Sequence, residues 1–473
     1  MATRRLVAKV PLDELTARFA QIRRQEGVEE DRPAVVLAEA RDSYRDHPHV
    51  TGEREDHTSV PFVTIDPEGS RDLDQAIHLE TSGLGWRVRY AIADVGAHVT
   101  PGGALDADAW ARVETVYCPD TRIGLHPSVM SEGHASLLPG QRTKAVLWDL
   151  EVDHDGLLVR IDVRRAWVTS VRQYSYHELA PNPPAEASGL IALMAQVGNA
   201  RRSALRRSGA VSLPKPSQEV ARGDGGLHLE FRAAVGIEDD NAQISLLTGM
   251  AAAELMLAAG VGVLRTMPPA TDEAMRRLRR QALALGVQWP DGESYQDVLT
   301  HVDSASSQGA AFLTAAVTLF RGASWVPFDV EAGMPLPELV THGALGAPYA
   351  HVTAPLRRLV DRYGTEVCLA HAAGRPIPGW VTAALPGIGQ TMVAGVRRGS
   401  RVDRACIDVV EAAVLGPHVG EEFDAVGLDE DTVQLAEPAV VARCTGEIPV
   451  GDRVRVRLVS ADIVKGVRFE VLS

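Results

Sequence analysis

The chain has 473 residues, 45% hydrophobic and 23% charged, which gives enough apolar mass for a sizeable core and too much length for one ordinary domain, so two or three domains are expected. This composition excludes a disordered chain, a collagen-like fibre and a disulfide-stapled miniprotein. The net charge of −14 argues in bulk against a nucleic-acid binder, whose usual footprint is a basic face; yet only four of the 48 basic residues are lysines, and a local arginine cluster can still grip a polyanion.

Residues 1–58 read as a small helical unit. Leu12, Leu15, Phe19 and Ile22 recur at helical spacing behind Pro11, Gly27 offers a stop, and a second helix is expected from Pro33 to about Arg45. A helix-turn-helix module and a simple N-terminal cap both fit. The start, Met-Ala-Thr-Arg-Arg, lacks the apolar core of a secretory signal, and the four cysteines include no Cys-x-x-Cys pair, so neither zinc nor a disulfide framework is suggested and a reducing cytoplasm is expected.

From Pro61 the texture becomes strand-like: PFVTID, QAIHL, then WRVRYAIADV. The Pro-rich APNPPAEASG at 180–189 reads as an exposed loop. Gly249–Leu264, the most apolar stretch, is interrupted by Glu254 and too short to cross a bilayer, so it reads as a buried helix and no membrane association is expected. Thr271 can cap a helix that Gly286 ends, with Arg276, Arg277, Arg279 and Arg280 as its solvated face. After about Gly416 the pattern is all-β. In GDRVRVRLV, Val454, Val456 and Leu458 alternate with Arg453, Arg455 and Arg457, and a small barrel of OB type is expected. Its arginine face is either an electrostatic groove for a single strand or an ordinary solvated surface; aromatics for stacking are few (Phe423, Phe469).

Two segments carry chemistry. In FVTIDPEGSRDLDQAIHL, Asp66 closes a strand, a turn follows, and Asp72 and Asp74 share one face of an extended chain. Three close carboxylates repel unless protons or a cation intervene, and oxygen-only ligands suit Mg²⁺ or Mn²⁺. Aspartates around a Pro-Gly turn also serve as turn formers and caps. In YAHVTAPLRRLVDR, Pro355 suits the first position of a helix, which would put Arg357 and Arg358 in its first turn against the dipole. A phosphate clamp is one reading, and arginines tied to Asp361 or facing solvent are the other.

With these residues in view, the chain resembles the ribonuclease II family of exoribonucleases. The resemblance runs through TIDPEGSRDLDQAI, YAIADVGAHVTPGGALDADA, ETVYCPDTRIGLHPSVMSEGHASLLPG, RRSGAVSL, YAHVTAPLRRLVDR and RRGSRVDRACIDVVEA, in the family's order over roughly 60–412. Together with the helical unit read from spacing over 1–58, for which a helix-turn-helix is one reading, it implies an α+β fold with a ribonuclease II-type catalytic domain over 59–415 and an OB-fold barrel of the ribosomal protein S-one type over 416–473. The family's two N-terminal cold-shock barrels do not fit the helical pattern before Pro61.

The resemblance implies Mg²⁺-dependent, processive 3′-to-5′ hydrolysis of single-stranded RNA to nucleoside 5′-monophosphates, with entry into duplexes bearing a 3′ overhang as an extension. It is expected to act as a monomer without an obligatory protein partner. Asp66, Asp72 and Asp74 match metal-holding aspartates, with Asp74 the most critical for cleavage. Tyr117 matches a tyrosine stacking near the 3′-terminal nucleotide, and Arg357 the arginine on the scissile phosphate. Arg358, Tyr349 and His351 extend that RNA-contacting segment, and Asp403 falls near a family glutamate supporting the clamp. Gln75 stands at the fourth aspartate, where its carbonyl could ligate the metal with one charge less, and Leu213 stands where the family can have an aromatic. Gln75 keeps a catalytically weakened RNA-binding relative in play, and a DNA-directed phosphodiesterase would use the same chemistry.

Overall fold

The computed structural model describes residues 6–472 apart from 46, 48, 51, 181, 212–216, 224, 225, 233, 234, 304, 305 and 436. Helix α1 (Leu12–Gln25) follows Pro11 and is closed by Gly27 at φ +69°, and α2 (Ala34–Asp42) follows Pro33. The two helices have no shared core. Leu15, Phe19 and Ile22 pack with Val402, Cys406 and Val410 near the C-terminal barrel, whereas Val36 and Ala40 pack with Val95, Leu105 and Met130. Among the described residues α1 and α2 therefore pack against two different parts of the body.

Strands β1 (Glu55–Asp56), β2 (Phe62–Asp66), β3 (Gln75–Thr81) and β4 (Gly85–Ala93) lead to helix α3 (Ala104–Arg112) and a small hairpin, β5 (Val116–Tyr117) with β6 (Arg122–Ile123). Strands β7 (Arg142–Asp153) and β8 (Leu158–Ser175) complete the largest sheet. Among the described residues its order is β1-β8-β2-β3-β4-β7, and β8 also pairs with β7. The 18-residue β8 thus runs antiparallel to β7 and then parallel to β2, which bends the sheet back on itself and sets Asp66 opposite Ser175.

Helices α4 (Tyr176–Leu179) and α5 (Ser188–Arg207), the hairpin β9 (Ser217–Gly223) with β10 (Gly226–Arg232), and α6 (Gly236–Ala259) follow. Helix α6 is long and apolar enough to cross a membrane by composition, and here it packs against α5. The apolar run expected as one buried helix splits in two. Gly260 takes the left-handed conformation at φ +70° and caps α6, and strand β11 (Val261–Thr266) begins at once. Glycine adopts this conformation without the strain of about 1 kcal/mol that a side chain would add, so α6 can close there with Gly260 N donating to Leu257 O and Met256 O.

Next come α7 (Asp272–Ala284), capped by Thr271 as expected with its four arginines exposed, then α8 (Tyr295–His301), α9 (Ser307–Ala316) and β12 (Ser324–Asp329). The short pair β13 (Thr341–His342) and β14 (Ala347–Pro348) precedes α10 (Leu359–Ala372) and the 37-residue α11 (Gly379–Leu415). The expectation that Pro355 opens a helix is corrected. Pro355 sits in a turn closed by Arg357 N and Arg358 N donating to Ala354 O, and α10 starts only at Leu359. The buried Asp361 carboxylate accepts from Ala354 N at 2.7 Å and fastens the turn to the helix.

Among the described residues β15 (Glu422–Gly427), β16 (Thr432–Leu435), β17 (Val440–Thr445), β18 (Arg453–Asp462) and β19 (Gly466–Val471) form a closed barrel in the order β15-β16-β17-β19-β18, consistent with an OB fold. Val456 and Leu458 point into it and Arg455 and Arg457 point out. The arginine face is a mixed-charge lattice. Arg455 lies 2.9 Å from Asp424, and Arg457 lies 3.4 Å from Glu422 and 3.6 Å from Glu470. Such exposed, solvent-screened pairs add little stability, but they offset part of the positive field of Arg455 and Arg457. Phe423 and Phe469 meet edge to face at 5.9 Å, with Phe469 buried as core packing.

Candidate active site

The acidic segment is built by backbone geometry. Strand β2 ends at Asp66, Ser70 N donates to Pro67 O to close the turn, and the chain then runs extended to β3. Leu73 is fully buried, with its N–H on Ser136 Oγ at 2.9 Å and its carbonyl accepting from Leu137 N at 3.0 Å. Alternation about Leu73 leaves Asp72 and Asp74 together on the other side.

The two carboxylates have different partners. Asp74 is nearly fully buried; its Oδ1 accepts from Leu356 N at 2.7 Å, and Arg357 Nε stands 3.8 Å from Oδ2. Burial pushes its pKa well above the usual carboxylate range, against the pull of Arg357 and the Leu356 N–H. Asp72 is held by Arg122 Nη1, while Arg122 Nη2 reaches Glu132. Asp66 is the third: its Oδ2 is buried with no hydrogen-bond partner among the described residues, and burial, then Asp72, raise its pKa to about 7. Arg357 acts electrostatically on Asp66, Asp74 and Tyr117, so the structure brings the aspartates and the guanidinium to one site.

Among the described residues no three acidic, His or Cys side chains converge as a ready metal cage. The reason is that Asp74 turns to Leu356 N–H and Asp72 to Arg122. The donor set still fits one hard divalent cation, because a buried Asp66 oxygen with no hydrogen-bond partner among the described residues stands within electrostatic reach of a second carboxylate, Asp72. Gln75 is engaged at both ends of its amide: Nε2 donates to Thr353 O at 2.6 Å, and Oε1 accepts from the Tyr90 hydroxyl.

Tyr117 on β5 is 52% exposed and overlooks Asp72, Arg357 and Asp74; its surroundings and then Asp72 raise its pKa to about 12. Arg358 lies in the protein, bidentate to Asp361 at 3.1 and 2.9 Å. Tyr349 is 8% exposed and seated against Gly249, where any Cβ would collide with its ring. The His351 ring meets Tyr349 edge-on at 5.3 Å, and its Nδ1 accepts from Trp325 Nε1 at 3.1 Å. Arg358, Tyr349 and His351 therefore form a packed layer behind Arg357. Asp403, on α11, makes no hydrogen bond or ion pair with Arg357 or Arg358; Glu114, bridged by backbone to Arg358, feels both arginines instead. Leu213 lies outside the described residues.

Sequence reasoning missed Arg122, Glu114 and Tyr90. A signal for Arg122 exists: Cys-Pro-Asp-Thr marks a tight turn, and hairpin register then sets Arg122 opposite Tyr117.

An acidic site faced by arginine, with a small closed barrel nearby, defines a nuclease type of architecture. The chain belongs to the RNB family: the RNB domain model matches residues 54–367, and the RNase II-type exonuclease C-terminal S1 domain matches residues 421–472. It is 33% identical to Ribonuclease R of Acidithiobacillus ferrooxidans over 158 residues, 33% of this chain and 36% of that protein. It is 27% identical to Exoribonuclease 2 of Edwardsiella piscicida over 346 residues, 68% of this chain and 51% of that protein. The chain thus spans about half the length of these relatives or less. The fold matches Mycoplasma genitalium RNase R in complex with ribose methylated single-stranded RNA, with TM-score 0.86 and 17% identity over 97% of this chain and 78% of that one.

Proposed function

We propose that this protein is a divalent-metal-dependent exoribonuclease that hydrolyses single-stranded RNA processively from the 3′ end to nucleoside 5′-monophosphates. The observation that carries the reading is Arg357 facing the buried Asp74, with an Asp66 oxygen that has no hydrogen-bond partner among the described residues and an exposed Tyr117 within electrostatic reach. Family membership supports RNA as substrate, and the relatives' names support exonucleolytic attack.

Asp66 and Asp72 would hold the cation, Mg²⁺ with Mn²⁺ as substitute. A cation bound there supplies positive charge and acidifies a water molecule. Asp74 orients or deprotonates the attacking water, Arg357 stabilises negative charge building on the phosphate, and Tyr117 stacks on the terminal base. Arg358 fixes Arg357 through the turn tied to Asp361. The proposed setting is a cytoplasmic monomer with no obligatory protein partner, and duplexes with a 3′ overhang are included among its substrates.

A second reading, an RNA-binding relative with weakened catalysis, draws on the Gln75 amide held by Tyr90 and Thr353 and on Arg122 occupying Asp72. End-labelled RNA incubated with and without Mg²⁺, with DNA of the same sequence alongside, tests both. Metal-dependent release of monophosphates from RNA supports the exoribonuclease. RNA retention without release supports the second reading, and equal cleavage of DNA would overturn RNA selectivity.

A further inference from the structure

Beyond the Arg357 position lies a second cationic site. Arg265 on β11 is paired in register with Trp325 on β12, and its guanidinium lies 3.8 Å above the indole ring. Its backbone N–H donates to Tyr349 O at 2.8 Å, which anchors it to the arginine-bearing segment. The guanidinium makes no hydrogen bond or ion pair with any described residue, and its buried Nη1 is unpartnered. Arg357 and Arg358 differ: they have Asp74 and Asp361.

Among the described residues no carboxylate pairs with Arg265. Its charged neighbour is Arg358, and burial followed by that repulsion lowers its pKa to about 10. His342, whose ring meets Tyr349 at 6.2 Å, has a buried Nδ1 with no hydrogen-bond partner among the described residues and is held neutral, its pKa lowered to about 4 by burial and then by Arg265. The Trp325 indole is fixed through Nε1 to His351 Nδ1, so the platform under Arg265 is rigid before any ligand arrives. A partly buried guanidinium with no hydrogen-bonded carboxylate among the described residues, stacked on a fixed aromatic face and flanked by a neutral imidazole, is poised for an incoming anion.

We propose that Arg265, with Trp325 beneath it and His342 beside it, is a phosphate subsite that grips the RNA backbone at a nucleotide other than the one whose scissile phosphate meets Arg357. The inference rests on the reading of this protein as an RNA hydrolase and names a further contact for the same strand. The ligand is a phosphodiester of the strand, since a bidentate planar donor matches two phosphate oxygens and the indole blocks its other face.

The test measures affinity for a fluorescent single-stranded oligoribonucleotide with a free 3′ end, in a series of KCl concentrations without divalent metal. Each phosphate contact on a single strand contributes about 0.7 to the slope of log affinity against log salt. Arg265→Gln is expected to weaken binding about tenfold and flatten the slope by roughly 0.7. Arg265→Lys keeps the charge and should restore the slope. Arg276→Gln, on the exposed face of α7, is the control and leaves both unchanged. A Gln variant that keeps the wild-type slope overturns the subsite while leaving the hydrolase reading intact. Equal slope loss in the Gln and Lys variants assigns Arg265 a packing role and also overturns it. Wild-type protein that neither binds nor cleaves RNA removes both proposals together.

Discussion

Arg122 Nη1 donates to Asp72 Oδ1, so one of the three aspartates of the acidic segment already carries a guanidinium. The contact crosses from the β5–β6 hairpin, which also bears Tyr117, and the far side of Arg122 is taken by Glu132. A cation entering beside Asp66 must share Asp72 with this arginine. Arg122→Gln is therefore expected to tighten divalent-metal binding about tenfold, the equivalent of ~1.4 kcal/mol. Mn²⁺ binding to the RNA-free protein, with the Mg²⁺ dependence of hydrolysis beside it, reads this directly. Unchanged titrations would mean that Asp72 lies outside the metal site.

Asp74→Asn keeps an oxygen for the Leu356 N–H and so leaves the turn intact. It removes the charge facing Arg357 and the proton acceptor. Monophosphate release should fall by roughly a hundredfold or more, while RNA affinity stays within a few-fold. Turnover close to wild type would take Asp74 out of the chemistry.

Gln75→Asp has two opposed effects. It adds a carboxylate near Asp66, which should lower the Mg²⁺ concentration needed for half-maximal activity. It also deletes the donor to Thr353 O and shortens the reach to Tyr90, at a cost of about 1–3 kcal/mol in stability. Thermal unfolding should shift down while the metal titration shifts left. A variant that loses stability with no metal shift would show that this position is purely structural.

Glu411 ties α11 to the barrel and to β9. Its Oε1 accepts from Val441 N at 3.1 Å and from Gln218 Nε2 at 2.7 Å, and the side chain is 2% exposed. Burial, opposed by those donors and Arg404, raises its pKa to about 7. The folded state thus holds the proton more tightly than the unfolded chain. The benefit is full below the unfolded pKa, near 4.5, and is lost as pH rises through about 7. Stability should decline across that window by up to about 3 kcal/mol. Glu411→Gln should flatten the decline and raise the melting temperature at neutral pH, as pH-dependent thermal unfolding would reveal.

Much of the fold was legible because it is written in local periodicity. The alternation around Leu73 placed Asp72 and Asp74 side by side, and the alternation of Val454, Val456 and Leu458 foretold a barrel strand. The Thr271 cap and the exposed α7 arginines also followed from neighbours a few residues away. Where two local signals competed, the reading failed. Pro355 is as suited to a turn as to a helix start, and Asp361, buried and accepting from Ala354 N, favoured the turn. The apolar run after Gly249 satisfied a helix until Gly260 adopted a left-handed conformation.

What the sequence determined by itself is the inventory of the site: three aspartates at short spacing, a pair of arginines, and a strand whose alternation builds a barrel. What only the tertiary structure decided is who neutralises whom. Asp74 meets the Leu356 N–H across 282 residues of chain, Arg122 reaches Asp72 across 50, and the barrel arginines find acids on neighbouring strands. Periodicity is a property of adjacent residues, whereas the balance of charge in a buried site is set by groups that packing alone brings within a few ångströms.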